Sequence, residues 1–270
     1  MDERKTMNSL SRYERQMILP QMGIRGQKKL LSSKVLVIGA GGLGCPTLIY
    51  LAGAGIGTIG IADADCVSES NLHRQILHPV KNVGKNKAKS AAEALTALNP
   101  DIKINIYPEY ITSDNISQII ADYDFIIDAV DNFETKFLIN DACVQAKKPF
   151  CHAGVIQYHG QIMTYVPQKG PCYRCIFQEI PENGSIPNCA QVGVMGAVCG
   201  ILGSMQAMEA IKYLSGSGEL LTGKMLIYDA FTLKCRSVTF PNSSPTCRVC
   251  GKNADLKDVR ENRREYLRDV

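Results

Sequence analysis

The chain has 270 residues, which suits one large α/β domain or a domain with a small appendage. Hydrophobic residues make up 45% and charged residues 21%, enough apolar side chains for a sizeable core and a composition that excludes global disorder. The formal charge of +4 comes without a Lys/Arg block or an interleaved aromatic stripe, so nucleic acid is not an expected partner.

Residues 9 to 31 read as helical, with Met17, Ile18, Leu30 and Leu31 on an apolar face. Val35-Leu36-Val37-Ile38 predicts a buried parallel strand, and GAGGLG leads from it into an apolar helix, CPTLIYLAGAG. A second strand is expected at Thr58 to Ala62, then a helix from about Lys85 to Leu98, stopped by Asn99-Pro100. A strand at 102 to 107, a short helix from Ile116 to Ala121 and a buried strand at Phe125 to Ile127 follow. Phe133 to Ala146 reads as helix and Phe150 to Val155 as strand. This alternation implies a doubly wound, Rossmann-like sheet, mostly parallel through residue 155. Gln161 to Val166 and Met225 to Phe240 then predict antiparallel strands around a long helix near 193 to 214. The charged tail after Cys250 is expected as a solvated helix or a frayed end.

The start, MDERKTMNSLSRYERQ, has no apolar signal region, and the longest apolar stretch, Val192 to Leu214, is interrupted by Gln206, Glu209 and Lys212. No membrane span is expected, and the chain reads as cytoplasmic. Eleven cysteines in that setting argue for reduced thiols over a disulfide framework.

Gly39, Gly41 and Gly44 match G-x-G-x-x-G between a strand and a helix, and Gly42 adds another residue without a side chain. Asp63 ends the next strand 19 residues after Gly44, where a ribose-binding acid belongs. The fingerprint does not choose the nucleotide; no Walker-type G-x-x-x-x-G-K-[ST] is present. After Asp63, the run ADCVSESNLHRQILH supplies Asp65, Ser70, Asn71, Arg74 and Gln75 beyond a strand's carboxyl end, and Lys87 opens the next helix. Arg74 and Lys87 can bind phosphate. Asp131, with Asn132 beside it, follows the strand at 125 to 127 and is a candidate magnesium ligand. Two cations and an acid around one crevice suit a polyphosphate with a metal better than a nicotinamide ring. Singly, each has a plain alternative: Arg74 a surface ion pair, Lys87 a solvated helix face, Asp131 a helix cap.

RYERQ at 12 to 16, GAGGLG at 39 to 44, SNLHRQ at 70 to 75 and DAVDN at 128 to 132 resemble the MoeB/ThiF family, bacterial relatives of ubiquitin-activating enzymes. PCYRC at 171 to 175, GVMG at 193 to 196 and GSMQAMEAIK at 203 to 212 extend the resemblance to roughly residues 9 to 251. It implies one adenylyltransferase domain over 1–251, with a nucleotide part near 30–155, a carrier and zinc part near 156–251, and a charged tail at 252–270. It further implies ATP-dependent adenylylation of the C-terminal glycine of a ubiquitin-like sulfur carrier ending in Gly-Gly, of the MoaD or ThiS kind. By motif, the glycine loop approaches the nucleotide, Asp63 holds ribose, Asn71, Arg74 and Lys87 contact phosphates, and Asp131 positions magnesium. Arg15 would reach a neighbouring subunit's phosphates, which implies a homodimer; a solvent-facing arginine is the alternative. With no rhodanese sequence following, sulfur is expected from a separate donor protein.

Cys172/Cys175 and Cys247/Cys250 form two C-x-x-C pairs, whose four thiolates suit a structural zinc site; a redox pair is the rival. Cys189, in a polar Gly/Pro stretch before the long helix, would have a depressed pKa if it is an accessible thiol at a helix N-terminus. It is a candidate nucleophile or an inert loop cysteine. The four histidines show no metal spacing and read as structural. An NAD-dependent oxidoreductase, a non-catalytic zinc-stapled adaptor, and the same adenylylation on another carboxylate or a tRNA remain alternatives at this point.

Overall fold

The computed structural model describes residues 10–182, 185–187 and 189–267; residues 1–9 of the expected domain and 268–270 of the expected tail lie outside them. Among the described residues, eight strands form one sheet: β1 (Lys34–Ile38), β2 (Thr58–Ala62), β3 (Lys103–Tyr107), β4 (Phe125–Asp128), β5 (Phe150–Ile156), β6 (His159–Tyr165), β7 (Lys224–Asp229) and β8 (Lys234–Thr239). Their order is β3-β2-β1-β4-β5-β6-β7-β8. The first five are parallel and the last three antiparallel, as the change in sequence texture after residue 155 predicts. β1 and β4 are covered on both faces, which is why they appear as unbroken apolar runs.

The helices are α1 (Glu14–Met17), α2 (Gly23–Ser32), α3 (Gly44–Ala54), α4 (Lys87–Leu98), α5 (Ile116–Ala121), α6 (Phe133–Gln145), α7 (Tyr173–Ile176), α8 (Cys189–Val192) and α9 (Gly196–Ser215). One face of the sheet packs against α2, α3, α4 and α9 through Val35, Val37, Leu48, Leu51, Leu95 and Leu202. The other packs Leu36, Ile38 and Ile126 against α5, α6 and the cysteine-bearing loops. α9 lies very close to α3: a Cβ on Gly203 would stand 2.4 Å from the Leu43 carbonyl oxygen, and the Thr47 hydroxyl donates to the Gly203 carbonyl at 2.9 Å. α9 is buried along much of its length, and among the described residues no helix is long and apolar enough to cross a membrane.

Two expectations change. The single helix at 9 to 31 is broken after α1, because Pro20 lacks the N–H that a continuous helix needs there and Gly23 adopts a left-handed φ of +55°. The tail is not solvated throughout: Leu256, Val259 and Tyr266 enter the second core with Phe137, Tyr173 and Val249.

Candidate active site and four-cysteine cluster

From β1 the chain winds outward to β2 and β3, then returns to lay β4 and β5 on the opposite side of β1. The carboxyl ends of β1 and β4 therefore flank a topological switch point, where open α/β sheets bind ligands. The loop 39–44 sits there. A Cβ on Gly39, whose φ is +97°, would stand 2.7 Å from the Ala129 carbonyl oxygen, and one on Gly44 would stand 1.9 Å from that of Gly39. A Cβ on Gly42 would meet the Cys199 sulfur at 3.0 Å and Arg74 Cδ at 3.5 Å. Gly41 is different: its Cβ would make only ordinary contact, with Gln75 Nε2 at 3.6 Å. Packing of the protein on itself demands glycine at 39 and 44, and it makes no such demand at 41.

Asp63 is tied to this loop. Its Oδ2 accepts the Ala40 N–H at 2.7 Å and its Oδ1 accepts the Asp65 N–H at 2.9 Å. Burial raises its pKa against the opposing pull of the Lys87 ammonium. Lys87, buried at the start of α4, is paired with Asp65 at 2.9 Å. Arg74 is bound by the Asn71 side-chain oxygen at 2.7 Å and by His73 Nε2 at 2.8 Å. Ser70 pairs with Ser68 at 3.0 Å on the exposed rim. Gln75 Oε1 and Asn132 Nδ2 are buried with no partner among the described residues. Asn132 Oδ1 caps α6 through the Thr135 N–H at 2.9 Å, so the cap expected as an alternative for Asp131 belongs to its neighbour. Asp131 is exposed, and its carboxylate has no hydrogen-bond partner among the described residues.

The RYERQ motif divides in the same way. Arg12 donates to the Leu98 carbonyl at 2.9 Å, Tyr13 is buried and bound by Asn99 at 2.9 Å, and Gln16 donates to the Ala54 carbonyl at 2.9 Å. Arg15 is left exposed on α1, with no hydrogen bond to the other candidates.

Cys189 stands half-buried at the start of α8. Its thiol donates to the Val155 carbonyl at 3.2 Å, and burial first and the Asp131 charge second push its pKa up instead of down. Arg74 and Lys136 oppose that shift. The strand-like bridge of Gln157 to Val194 anchors the segment between Cys189 and α9.

Beneath the switch point lies a buried network that the sequence did not disclose. Asp128 binds Lys136 at 3.3 Å and His152 Nδ1 at 2.7 Å, and its other close donor is the Val130 N–H at 3.2 Å. Burial raises the Asp128 pKa, but Lys136 and His152 outweigh it and hold it low. Gln206 on α9 joins the ends of β4 and β5 by donating to the carbonyls of Asp128 at 2.7 Å and Cys151 at 3.2 Å. A lysine within the mostly buried helix 133 to 145 was the one legible sign.

The four paired cysteines converge. Cys172 Sγ lies 3.8 Å from that of Cys175 and 3.6 Å from that of Cys247, and Cys175 lies 3.3 Å from Cys250. All four ligand atoms fall within 4.8 Å of one another, a group that could hold a metal. The Ser244 N–H donates to Cys175 Sγ at 3.3 Å.

Fold and site together define a doubly wound α/β protein with a glycine loop at its switch point and a four-thiol cluster binding its end to its middle. The chain belongs to the ThiF family, whose model matches residues 13–249. It is 45% identical over 261 residues to the sulfur carrier protein adenylyltransferase of Thermus thermophilus, covering 95% of this chain and 96% of that one. It is 43% identical over 249 residues to the adenylyltransferase and sulfurtransferase MOCS3 of Culex quinquefasciatus, covering 92% of this chain. There it spans only 57% of the relative's length. The crystal structure of E. coli MccB with MccA-N7isoASN superposes with a TM-score of 0.80 at 27% identity, over 90% of this chain and 75% of that one. MccB with ATP superposes with a TM-score of 0.77 over 89% and 74%.

Proposed function

We propose that this chain is an ATP-dependent adenylyltransferase that activates the C-terminal glycine carboxylate of a ubiquitin-like sulfur-carrier protein. The observation that carries this reading is the arrangement of Arg74 against Gly42 and of the Ala129–Val130 turn, which leads into Asp131, against Gly39, in a loop whose Gly41 is not required by the protein's own packing. The near full-length match to an enzyme named for this activity supports the substrate class, and MccB solved with ATP supports the nucleotide.

In this reading Gly39, Gly41, Gly42 and Gly44 bring backbone to the phosphates and Asp63 holds ribose. Asp65, Ser70, Gln75 and Asn132 line the crevice. Asn71, Arg74 and Lys87 bind phosphate oxygens, with Lys87 exchanging its Asp65 partner for the ligand. Arg15 is presented to the phosphates of a second copy in a homodimer. A carrier carboxylate oxygen attacks the α-phosphorus, and the bond to the bridging oxygen breaks. Pyrophosphate leaves with that electron pair. The nucleophile is already ionised at neutral pH, so no general base is needed; fixed cations neutralise the repulsion between the anions. Magnesium, held by Asp131, would supply further charge neutralisation on the phosphates. Cys189 takes no part in this step, its thiol being held protonated by burial and by Asp131.

The cysteine cluster is assigned to structural zinc. A tetrahedron of thiolates about 2.3 Å from zinc has edges of about 3.8 Å; the three shortest sulfur contacts, at 3.3 to 3.8 Å, and the 4.8 Å span of the whole group are of that size. In this reading the carrier belongs to molybdopterin or thiamine synthesis in the cytoplasm.

The test is pyrophosphate exchange into ATP with magnesium and each candidate carrier ending in Gly-Gly. Exchange with one carrier, abolished by Asp131→Ala, is the expected result. ATP binding without exchange for any carrier would move the activity to another carboxylate, and absence of ATP binding would overturn the reading.

A further inference from the structure

His78 lies in the loop before α4, is 4% exposed, and has no part in the assignments above. Its Nε2 is 2.9 Å from the Ala40 carbonyl oxygen, inside the glycine loop. A carbonyl can only accept, so Nε2 carries the hydrogen. Burial, aided by the Lys87 charge, holds the imidazole below its ordinary value and therefore neutral. Nδ1 is then an acceptor, and the Ser90 hydroxyl donates to it at 3.0 Å. Ser90 in turn accepts from Asn82 Nδ2 at 2.9 Å. Every donor in this series points one way, from Asn82 through Ser90 and His78 to the Ala40 carbonyl.

The consequence falls on Gly41. The Ala40 carbonyl and the Gly41 N–H belong to one trans peptide, in which C=O and N–H point in opposite directions. By drawing the carbonyl inward, His78 turns the Gly41 N–H away from itself. That N–H has no hydrogen-bond acceptor among the described residues, and it belongs to the glycine that internal packing does not require. The preceding peptide is held separately, by the Ala40 N–H on Asp63 at 2.7 Å. The other donor to the Ala40 carbonyl is the Cys45 thiol at 3.4 Å, a weaker one.

We infer that His78 is a positioning residue of the nucleotide site, which orients the Ala40–Gly41 peptide so that the Gly41 N–H faces the phosphates of bound nucleotide. The inference rests on the proposed nucleotide reading and adds to it a residue that touches no ligand. It also predicts what a substitute must supply: a donor at the Nε2 position.

The test compares His78→Gln, whose amide nitrogen reaches about as far as Nε2, with His78→Asn, whose amide stops near Nδ1, and with His78→Leu. Calorimetric titration with magnesium-ATP and thermal unfolding are run on all three. The expected result is near wild-type affinity for the Gln variant and a loss of about tenfold or more for Asn and Leu, the scale of one lost buried hydrogen bond. Affinities that follow Tm regardless of which donor is present would overturn the inference and make His78 a packing residue. Equal affinity in wild type, Asn and Leu would also overturn it while leaving the nucleotide reading intact. Failure of the wild type to bind ATP would take both down. Should the Leu variant not fold, the contrast between Gln and Asn decides alone.

Discussion

Arg174 grips Asp141 with both Nε and Nη2, at 2.9 and 2.8 Å, with both groups buried. Arg174 stands between Cys172 and Cys175, and its Nη2 also donates to Glu265 Oε2 at 3.0 Å. Arg248, between Cys247 and Cys250, donates to the other oxygen of Glu265 at 2.8 Å. Tyr266 then closes onto Asp141 at 2.6 Å. Each cysteine knuckle thus contributes one arginine to the same tail carboxylate. This is why a segment of charged residues packs against α6 instead of fraying.

The pair makes unequal predictions for its members. Arg174→Leu leaves Asp141 buried and without its main partner, a change that costs about 3–5 kcal/mol. For a chain of this size each kcal/mol lowers Tm by roughly 2–4 °C, so a drop on the order of 10 °C is expected in thermal unfolding. Glu265→Gln, at a side chain 32% exposed, is expected to lower Tm far less, because solvent screens that part of the network. Equal losses in the two variants would contradict the buried pair as the anchor.

Replacing a cluster cysteine tests the zinc assignment. Cys247→Ser and Cys175→Ser are expected to reduce metal content from about one zinc per chain to well below half, measured by elemental mass spectrometry. Both should lower Tm, and a chelator should bring wild type toward the variants. Zinc content unchanged in both variants would remove the metal from the site.

Much of this fold could be read from the chain because its signals are local. The buried strands at 35 to 38 and 125 to 127 are continuous apolar runs, and the loop 39–44 and the C-x-x-C pairs have short, fixed spacing. What was missed depends on distant partners. His78 acts on a carbonyl 38 residues away, and Lys136 is explained only by Asp128 and the Ala153 carbonyl, to which it donates at 2.8 Å. Tyr266 sits in a charged run, and its burial follows from Asp141, 125 residues earlier. The broken N-terminal helix was legible in Pro20 and Gly23, but the apolar spacing across them outweighed the breakers.

His152 gives the protein a pH dependence with a defined sign. Burial, with the Lys136 charge, lowers its pKa from the ordinary 6.5, against the pull of Asp128. As pH falls below about 6.5 the unfolded chain takes up a proton that the folded chain refuses, so stability present at neutral pH is lost. Tm is expected to decline between about pH 7 and pH 5. His152→Asn keeps a donor near Nδ1 for Asp128 and should flatten part of that decline, with His78, also lowered by burial, supplying some of the rest. An unchanged slope in the Asn variant would show that His152 is protonated alike in both states.

The glycine loop separates folding from binding within four positions. Gly44→Ala drives a methyl group to within 1.9 Å of the Gly39 carbonyl oxygen, a backbone atom held in place by β1, so α3 must move. Overpacking of this kind costs about 1–3 kcal/mol or more, and a clear fall in Tm is expected. Gly41→Ala meets only a side-chain amide at 3.6 Å. Its Tm should stay near that of wild type while affinity for magnesium-ATP, followed by calorimetry, drops by about tenfold, because the methyl group stands where phosphate approaches the backbone. If Gly41→Ala instead binds ATP as wild type does, the phosphates lie elsewhere on the loop, and the peptide oriented by His78 is not their contact.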